Sequence, residues 1–309
     1  MPTWIALGGA ALVGVLTAVQ ARINGQLGVR LGDGLVAAAI SFGSGLLILI
    51  VLSAALPSGR RGFTALATGV RSRRIPWWML AGGAAGALTV ATQGIAVGII
   101  GVSLFTVGVV AGQAMSGLIL DRIGYGPAGV VAVTLPRLAG GALALLAVGI
   151  ALAGDGLSGI PLWLLALPLA TGVGIAWQQA TNGRLNQRVG TPLTATLVNF
   201  IGGTIILVAA AAVRVAVVGI PAQVPAEAWL YLGGVTGVIY IILSAALVTH
   251  TGVLLLGLGV VVGQLLTSFA LDAVWPAPAS PGTLQAITMV VVALLSVVVA
   301  TAPWRRLRR

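Results

Sequence analysis

The sequence has no cysteine and no lysine, and of its 309 residues only 7% are charged. Without thiols there is no disulfide framework and no thiolate metal site. A water-facing surface normally draws on about 25% charged residues, so this chain cannot clothe itself against water on every side. The sequence shows no His/Glu metal spacing, no phosphate-binding loop and no Ser/His/Asp set. No enzyme chemistry is therefore expected, no cofactor is implied, and ATP drive by this chain alone is excluded.

What is present is apolar: 59% of the residues are hydrophobic, with 45 glycines. A membrane span takes about 20 mostly apolar residues. Ten such stretches can be drawn, roughly 4–27, 36–56, 76–98, 102–120, 136–153, 161–181, 193–213, 229–248, 253–271 and 283–302. Trp77, Trp78, Trp163, Trp229, Trp275 and Trp304 fall near their ends, as an aromatic belt requires. Pro76, Pro136 and Pro161 sit near first turns, where a missing N–H costs nothing. The first stretch is too long for a signal-peptide core and has no cleavage-like end. The abundant glycine suits helix packing in lipid, where small residues let backbones approach.

The net charge of +11 is carried by arginine. Nucleic-acid binding is one reading of such a basic chain, but the distribution argues for membrane orientation. With the N-terminus inside, Arg60, Arg61, Arg71, Arg73, Arg74, Asp121, Arg122, Arg137, Arg184, Arg188 and the last four arginines all lie inside, for a net +12. Arg22, Arg30, Asp33, Asp155, Arg214, Glu227 and Asp272 lie outside, for a net −1. The positive-inside rule then sets both termini in the cytoplasm, which needs an even number of spans.

An internal repeat organises the chain. At an offset of 158, Gln20, Asn24, Gly25, Leu27, Arg30, Gly32, Phe42 and Gly45 meet Gln178, Asn182, Gly183, Leu185, Arg188, Gly190, Phe200 and Gly203. At an offset of 151, Trp78, Gly82, Gly83 and Gly86 meet Trp229, Gly233, Gly234 and Gly237. At the same offset Gly108-x-x-x-Gly112-Gln113 meets Gly259-x-x-x-Gly263-Gln264, and Asp121 meets Asp272. Glycine and valine matches could come from composition; the Gln, Asn, Arg, Trp and Asp matches involve scarce residues. Five spans per half is odd, so the second half (156–309) enters the bilayer upside down relative to the first (1–155). The expected fold is an all-α polytopic membrane protein with ten transmembrane helices as a 5+5 inverted-topology repeat, N-in and C-in. Inverted repeats characterise secondary transporters.

The duplicated spans, the Asn-Gly pair ending the first span of each half and the Gly-x-x-x-Gly-Gln of the fourth and ninth resemble the drug/metabolite transporter superfamily, and within it the YdcZ-type branch. The resemblance covers essentially the whole chain. It implies alternating access in a bacterial inner membrane, with the first four spans of each half around a central cavity and the fifth and tenth peripheral. It names no substrate. The small multidrug-resistance relatives carry a membrane-embedded Glu in their first span; none stands there here, so their proton antiport does not transfer.

Buried polar side chains in lipid are costly and are functional candidates. Gln113 and Gln264 lie near mid-span beside their glycine pairs, suited either to a polar or zwitterionic solute or to an interhelical amide bond. Gln20 and Asn24 share a helix face, as do Gln178 and Asn182; they suit gates or vestibules, or the Asn-Gly steps simply cap helices. Ser41 and Asn199 are mates, and Gln93, Gln179 and Tyr240 are lone polar residues within spans. Asp121 and Asp272 read as solvated acids at span ends, Arg22 as snorkelling outward and His250 as a solvated loop residue. The expected partners are a small-molecule solute and the lipid bilayer; a homodimer is compatible with the sequence. The leading function is a secondary-active exporter of a small polar or amphiphilic metabolite or drug. A lipid-linked carrier flippase and a non-transporting membrane scaffold are the alternatives.

Overall fold

The computed structural model describes residues 3–126, 129, 130, 132–153 and 160–301, without the side chains of 3, 4, 6, 7, 151, 245, 246, 248–258 and 301. Asp155, Trp304, the C-terminal arginines and the side chains of Trp4 and His250 lie outside that description.

Among the described residues the regular structure is helical. The helices are α1 (Thr3–Leu31), α2 (Gly34–Ala55), α3 (Pro57–Arg71), α4 (Gly82–Thr92), α5 (Gly98–Arg122), α6 (Leu135–Leu152), α7 (Leu162–Val189), α8 (Pro192–Val218), α9 (Gly233–Val274) and α10 (Thr283–Thr301). Their exposure pattern inverts that of a water-soluble protein. Leu47, Val51, Ile205 and Val213 are about two-thirds exposed, while Gln20, Asn24, Gln93 and Asn199 are buried. Apolar side chains outward and amides inward is the arrangement lipid selects, because only buried polar groups find partners there.

Local sequence sets the helix ends. Asp33 caps α2, accepting from the N–H of Leu35 (3.0 Å) and of Val36 (3.1 Å). Arg214 reaches the same carboxylate at 3.2 Å. Pro192 opens α8 and Gly190 closes α7 at φ 73°. Between α4 and α5 the chain winds through a π-turn, Gln93–Val97, and breaks from helical geometry at Gly101 (φ 81°, ψ 165°).

One expectation about the helices needs correction. The arginine-rich segment expected as a loop is helical: α3 lies across the ends of α2 and α8, with Gly59 against the backbone of Ser53 and Gly62 against Thr191 and Thr194. Glycine at these two positions lets the helix lie flat on its neighbours, while Arg60, Arg61 and Arg71 stay exposed. The eighth and ninth stretches, expected as separate spans, are both carried by α9, and their contacts keep them as two spans, because α9 doubles back. Gly237 touches Gln20, Leu247 touches Gly9, and Val260 and Gln264 touch Gly14. A straight helix would hold Gly237 and Gln264 about 40 Å apart, yet their contacts on α1 are about 9 Å apart along its axis. The two arms of α9 therefore flank α1, running past it in opposite directions.

Packing pairs elements from the two halves. α1 lies on α9 with the backbone of Gly14 against Val260 and Gln264, and α7 lies on α5 with Gly172 against Val109 and Gln113. A Cβ at Gly14 or Gly172 would overlap a backbone carbonyl oxygen, so each crossing is a direct backbone contact. α2 faces α8, and α6 faces α10, where Gln285 donates to the Ile150 carbonyl at 2.8 Å.

Candidate functional site

Two groups of amides face the interior, built from matching positions. In the first, Gln20 and Asn24 project from the same side of α1. Gln20 Nε2 donates to the Gly233 carbonyl at 2.8 Å, and Asn24 Nδ2 donates to Gln93 Oε1 at 2.7 Å. The π-turn is what puts Gln93 there; a wider turn re-aims the side chains along it. Ser41 Oγ comes in from α2 toward the same glycine, and a Cβ at Gly233 would overlap Asn24 Oδ1. Gln20 Oε1, Asn24 Oδ1 and Ser41 Oγ are buried with no hydrogen-bond partner.

In the second group Asn199 of α8 stands where Ser41 stands in the first. Its Oδ1 accepts from Gln178 Nε2 (2.9 Å) and from Asn182 Nδ2 (3.1 Å), both on α7. Asn199 Nδ2 is buried and without a partner. Gly82 lies against Asn182 Oδ1, and Gly86 against Gln178 Nε2 and Asn199 Nδ2. Gly82 and Gly86 thus do for this group what Gly233 and Gly237 do for the other.

The rings of Phe42 and Phe200 stack between the two groups, centroids 4.6 Å apart and 23° from parallel. Phe42 also meets Gly86 and Gly203, and Phe200 meets Gly45 and Gly237. Sequence reasoning missed this pair as a site feature. The signal was present, since phenylalanine is scarce (five residues) and these two coincide in the repeat.

The groups differ in burial. Asn24 is 0% exposed and Gln20 2%, whereas Gln178 and Asn182 are only partly buried. Neither group contains a charged side chain, so together they offer hydrogen bonds without fixed charge. Near Asn182 stands an aromatic cluster. Trp177 Nε1 donates to Tyr125 Oη at 3.1 Å, Tyr125 Oη lies 3.1 Å from Thr181 Oγ1, and the Arg184 guanidinium sits over the Trp78 and Tyr125 rings at 5.7 and 5.4 Å. A cavity of about 220 Å³ adjoins it, lined by Met79, Gly126, Gly129, Arg184, Gln187 and Arg188.

The remaining sequence candidates stand elsewhere. Gln113 is half-buried at the α5–α7 crossing and Gln264 is buried at the α1–α9 crossing; the structure joins neither to an amide group. Tyr240 packs with Ala10, Val13 and Leu247. Gln179 is exposed. Arg22 does not snorkel: it is 6% exposed, with its guanidinium 5.9 Å from the Trp275 ring. Asp272 is not solvated either, at 8% exposure. Its carboxylate accepts from the N–H of Val102 (2.9 Å) and of Ser103 (2.6 Å). Its counterpart Asp121 is partly exposed and pairs with Arg137.

Comparison with known proteins bears on the whole chain. A family model described as "Putative inner membrane exporter, YdcZ" matches twice, over residues 5–152 and over residues 163–299. No curated protein matches the chain.

Proposed function

Because this chain belongs to the YdcZ branch of the drug/metabolite transporters, whose family model matches both of its repeats, we propose that it moves a small polar or amphiphilic solute by alternating access, driven by an ion gradient. The observation that carries this reading is the pair of matching amide groups. Each keeps buried polar atoms without protein partners, and they stand on either side of the Phe42–Phe200 stack. An unpaired buried polar atom costs about 1–3 kcal/mol, and a solute supplying the missing hydrogen bonds would relieve it. In this reading Gln20, Asn24, Ser41 and Gln93 form one subsite, and Gln178, Asn182 and Asn199 the other. Gln113, Gln264 and Tyr240 belong to the helix crossings around them. The absence of charge in both groups favours a neutral or zwitterionic solute, and the stacked rings favour one with a flat apolar part.

The two repeats, 1–155 and 156–309, insert in opposite senses, with both termini cytoplasmic. The exchange of partners supports this: α1 sits on α9 as α7 sits on α5, and each amide group draws its glycines from the other half. With that orientation the deeply buried first group lies toward the outside. Gln178 and Asn182 of the second group, partly exposed, then lie toward the cytoplasm, which in this reading is the side from which an exporter takes up its solute.

The test is a thermal-shift screen of purified protein against neutral metabolites, zwitterions and cationic drugs, followed by flux of any stabilising compound in liposomes. Ligand binding to the folded state raises its melting temperature. Expected is a neutral or zwitterionic binder whose shift disappears, and whose flux falls at least tenfold, in the Asn24→Leu/Asn182→Leu double variant. A binder that stabilises and crosses that variant as well as the unaltered protein would overturn the site.

A further inference from the structure

Asp272 is the most buried acid among the described residues, and its setting joins the two halves. Gly101, at φ 81°, interrupts α5, so the amides of Val102 and Ser103 start a fresh helical turn with no carbonyl of their own helix to bond. The Asp272 carboxylate, at the far end of α9, takes both. A negative group at the start of a helix is also favoured by the helix dipole. The chain following α9 continues the clasp: Ala279 N–H donates to the Ile99 carbonyl at 2.9 Å, and Ser280 Oγ accepts from Ala277 N–H. Gly101 has to be glycine for a second reason, since a Cβ would press on Ser280 Oγ and on the Asp272 carboxylate at 2.6 and 2.9 Å. Arg22 on α1 is the charged group facing Asp272, stacked beneath Trp275. Residues 99–103 come from the first repeat and residues 272–280 from the second.

At the opposite end of the bundle, the matching acid is arranged differently. Asp121 ends α5 as Asp272 ends α9, but Arg137 of its own repeat holds it, and its side chain is 30% exposed. One end is clasped across the halves; at the other, the acid is turned back into its own half.

We propose that Asp272 is the latch of one of the transporter's two gates: its hydrogen bonds to the Val102 and Ser103 amides hold that end closed, and breaking them lets it open. Asp272 is thus a positioning residue, which touches no solute and sets which compartment the amide groups face. The proposal rests on the alternating-access reading above. It explains why an acid, Arg22 and two helix ends converge where no solute-binding amide lies, and why the first amide group is sealed while the second is partly exposed.

The chain lacks cysteine, so a single introduced thiol reports its own exposure. Thr106, buried one turn beyond the latch on α5, is the reporter for that gate. Gln178, partly exposed now, is the reporter for the other end. Each is replaced singly (Thr106→Cys, Gln178→Cys) and labelled with a membrane-impermeant maleimide from its own side of sealed vesicles. Adding Asp272→Asn should speed labelling at the Thr106 position at least tenfold and slow it at the Gln178 position; Asp272→Glu should restore much of the original rate. Unchanged labelling at position 106 in a folded Asp272→Asn protein overturns the latch. Faster labelling at 106 with no slowing at 178 keeps the latch as a local clasp and overturns alternating access. If Asp272→Asn does not fold, Ala279→Pro removes the neighbouring Ile99 bond without touching a charge. It should shift both reporters in the same directions, and its failure to shift the 106 reporter likewise overturns the latch.

Discussion

Asp121 and Asp272 occupy the same place in two copies of one sequence pattern, yet one is paired with an arginine near the surface and the other is buried against two backbone amides. The amide groups diverge in parallel. Asn199 gathers Gln178 and Asn182 onto one oxygen, while Ser41 bonds neither Gln20 nor Asn24, and Asn24 turns to Gln93 instead. Duplicated sequence thus does not give duplicated contacts. Under the alternating-access proposal such asymmetry is expected, because a molecule resting in one of two exchange-related states looks lopsided in either.

The comparison can be broken most forcefully at its centre. Phe42→Ala and Phe200→Ala each empty a fully packed ring site and should each cost about 3–5 kcal/mol. Thermal unfolding in detergent that showed one far more damaging than the other would mean the stack is not shared evenly between the repeats. Next come the acids. Asp272→Asn replaces a buried, doubly bonded carboxylate and should cost about 3 kcal/mol. Asp121→Asn weakens a partly exposed ion pair and should cost under about 1 kcal/mol. Equal losses in the same unfolding assay would erase the distinction between the two ends. A further pair of variants separates the amide groups. Asn199→Ala strips both amides of their acceptor, at about 2 kcal/mol. Ser41→Ala removes a buried hydroxyl that bonds nothing and should raise stability by about 1 kcal/mol, read in the same unfolding assay.

Much of the architecture was legible in the sequence because lipid leaves few options. Long apolar runs marked the helices, and scarce residues that recurred at fixed offsets, Gln20 with Gln178 and Asn24 with Asn182, marked the interior. What escaped had one physical cause. Hydropathy and rise per residue place a side chain along the membrane normal but say little about which neighbour it meets. Asp272 therefore read as a solvated end residue although α5 covers it, and Arg22 read as snorkelling although Trp275 caps it. Gln113 and Gln264 read as central because of their depth, and their backbone nitrogens stand at the α5–α7 and α1–α9 crossings, against Gly172 and Gly14. The Pro57–Arg71 segment read as a loop because its apolar content is too low for a span. Its helix is held instead by Gly59 fitted to the end of α2 and Gly62 to the start of α8, the latter a contact between distant parts of the chain that no local pattern encodes.

The backbone-to-backbone seams at Gly14 and Gly172 reach beyond packing density. Each repeat has lent its opening helix to its twin, as two people link arms, so severing the connection between α6 and α7 would not free two independent bodies. Each fragment would carry a helix whose bare flank fits only the other's glycines. Made separately in one cell, the two fragments would be expected to find each other and be extracted as a pair.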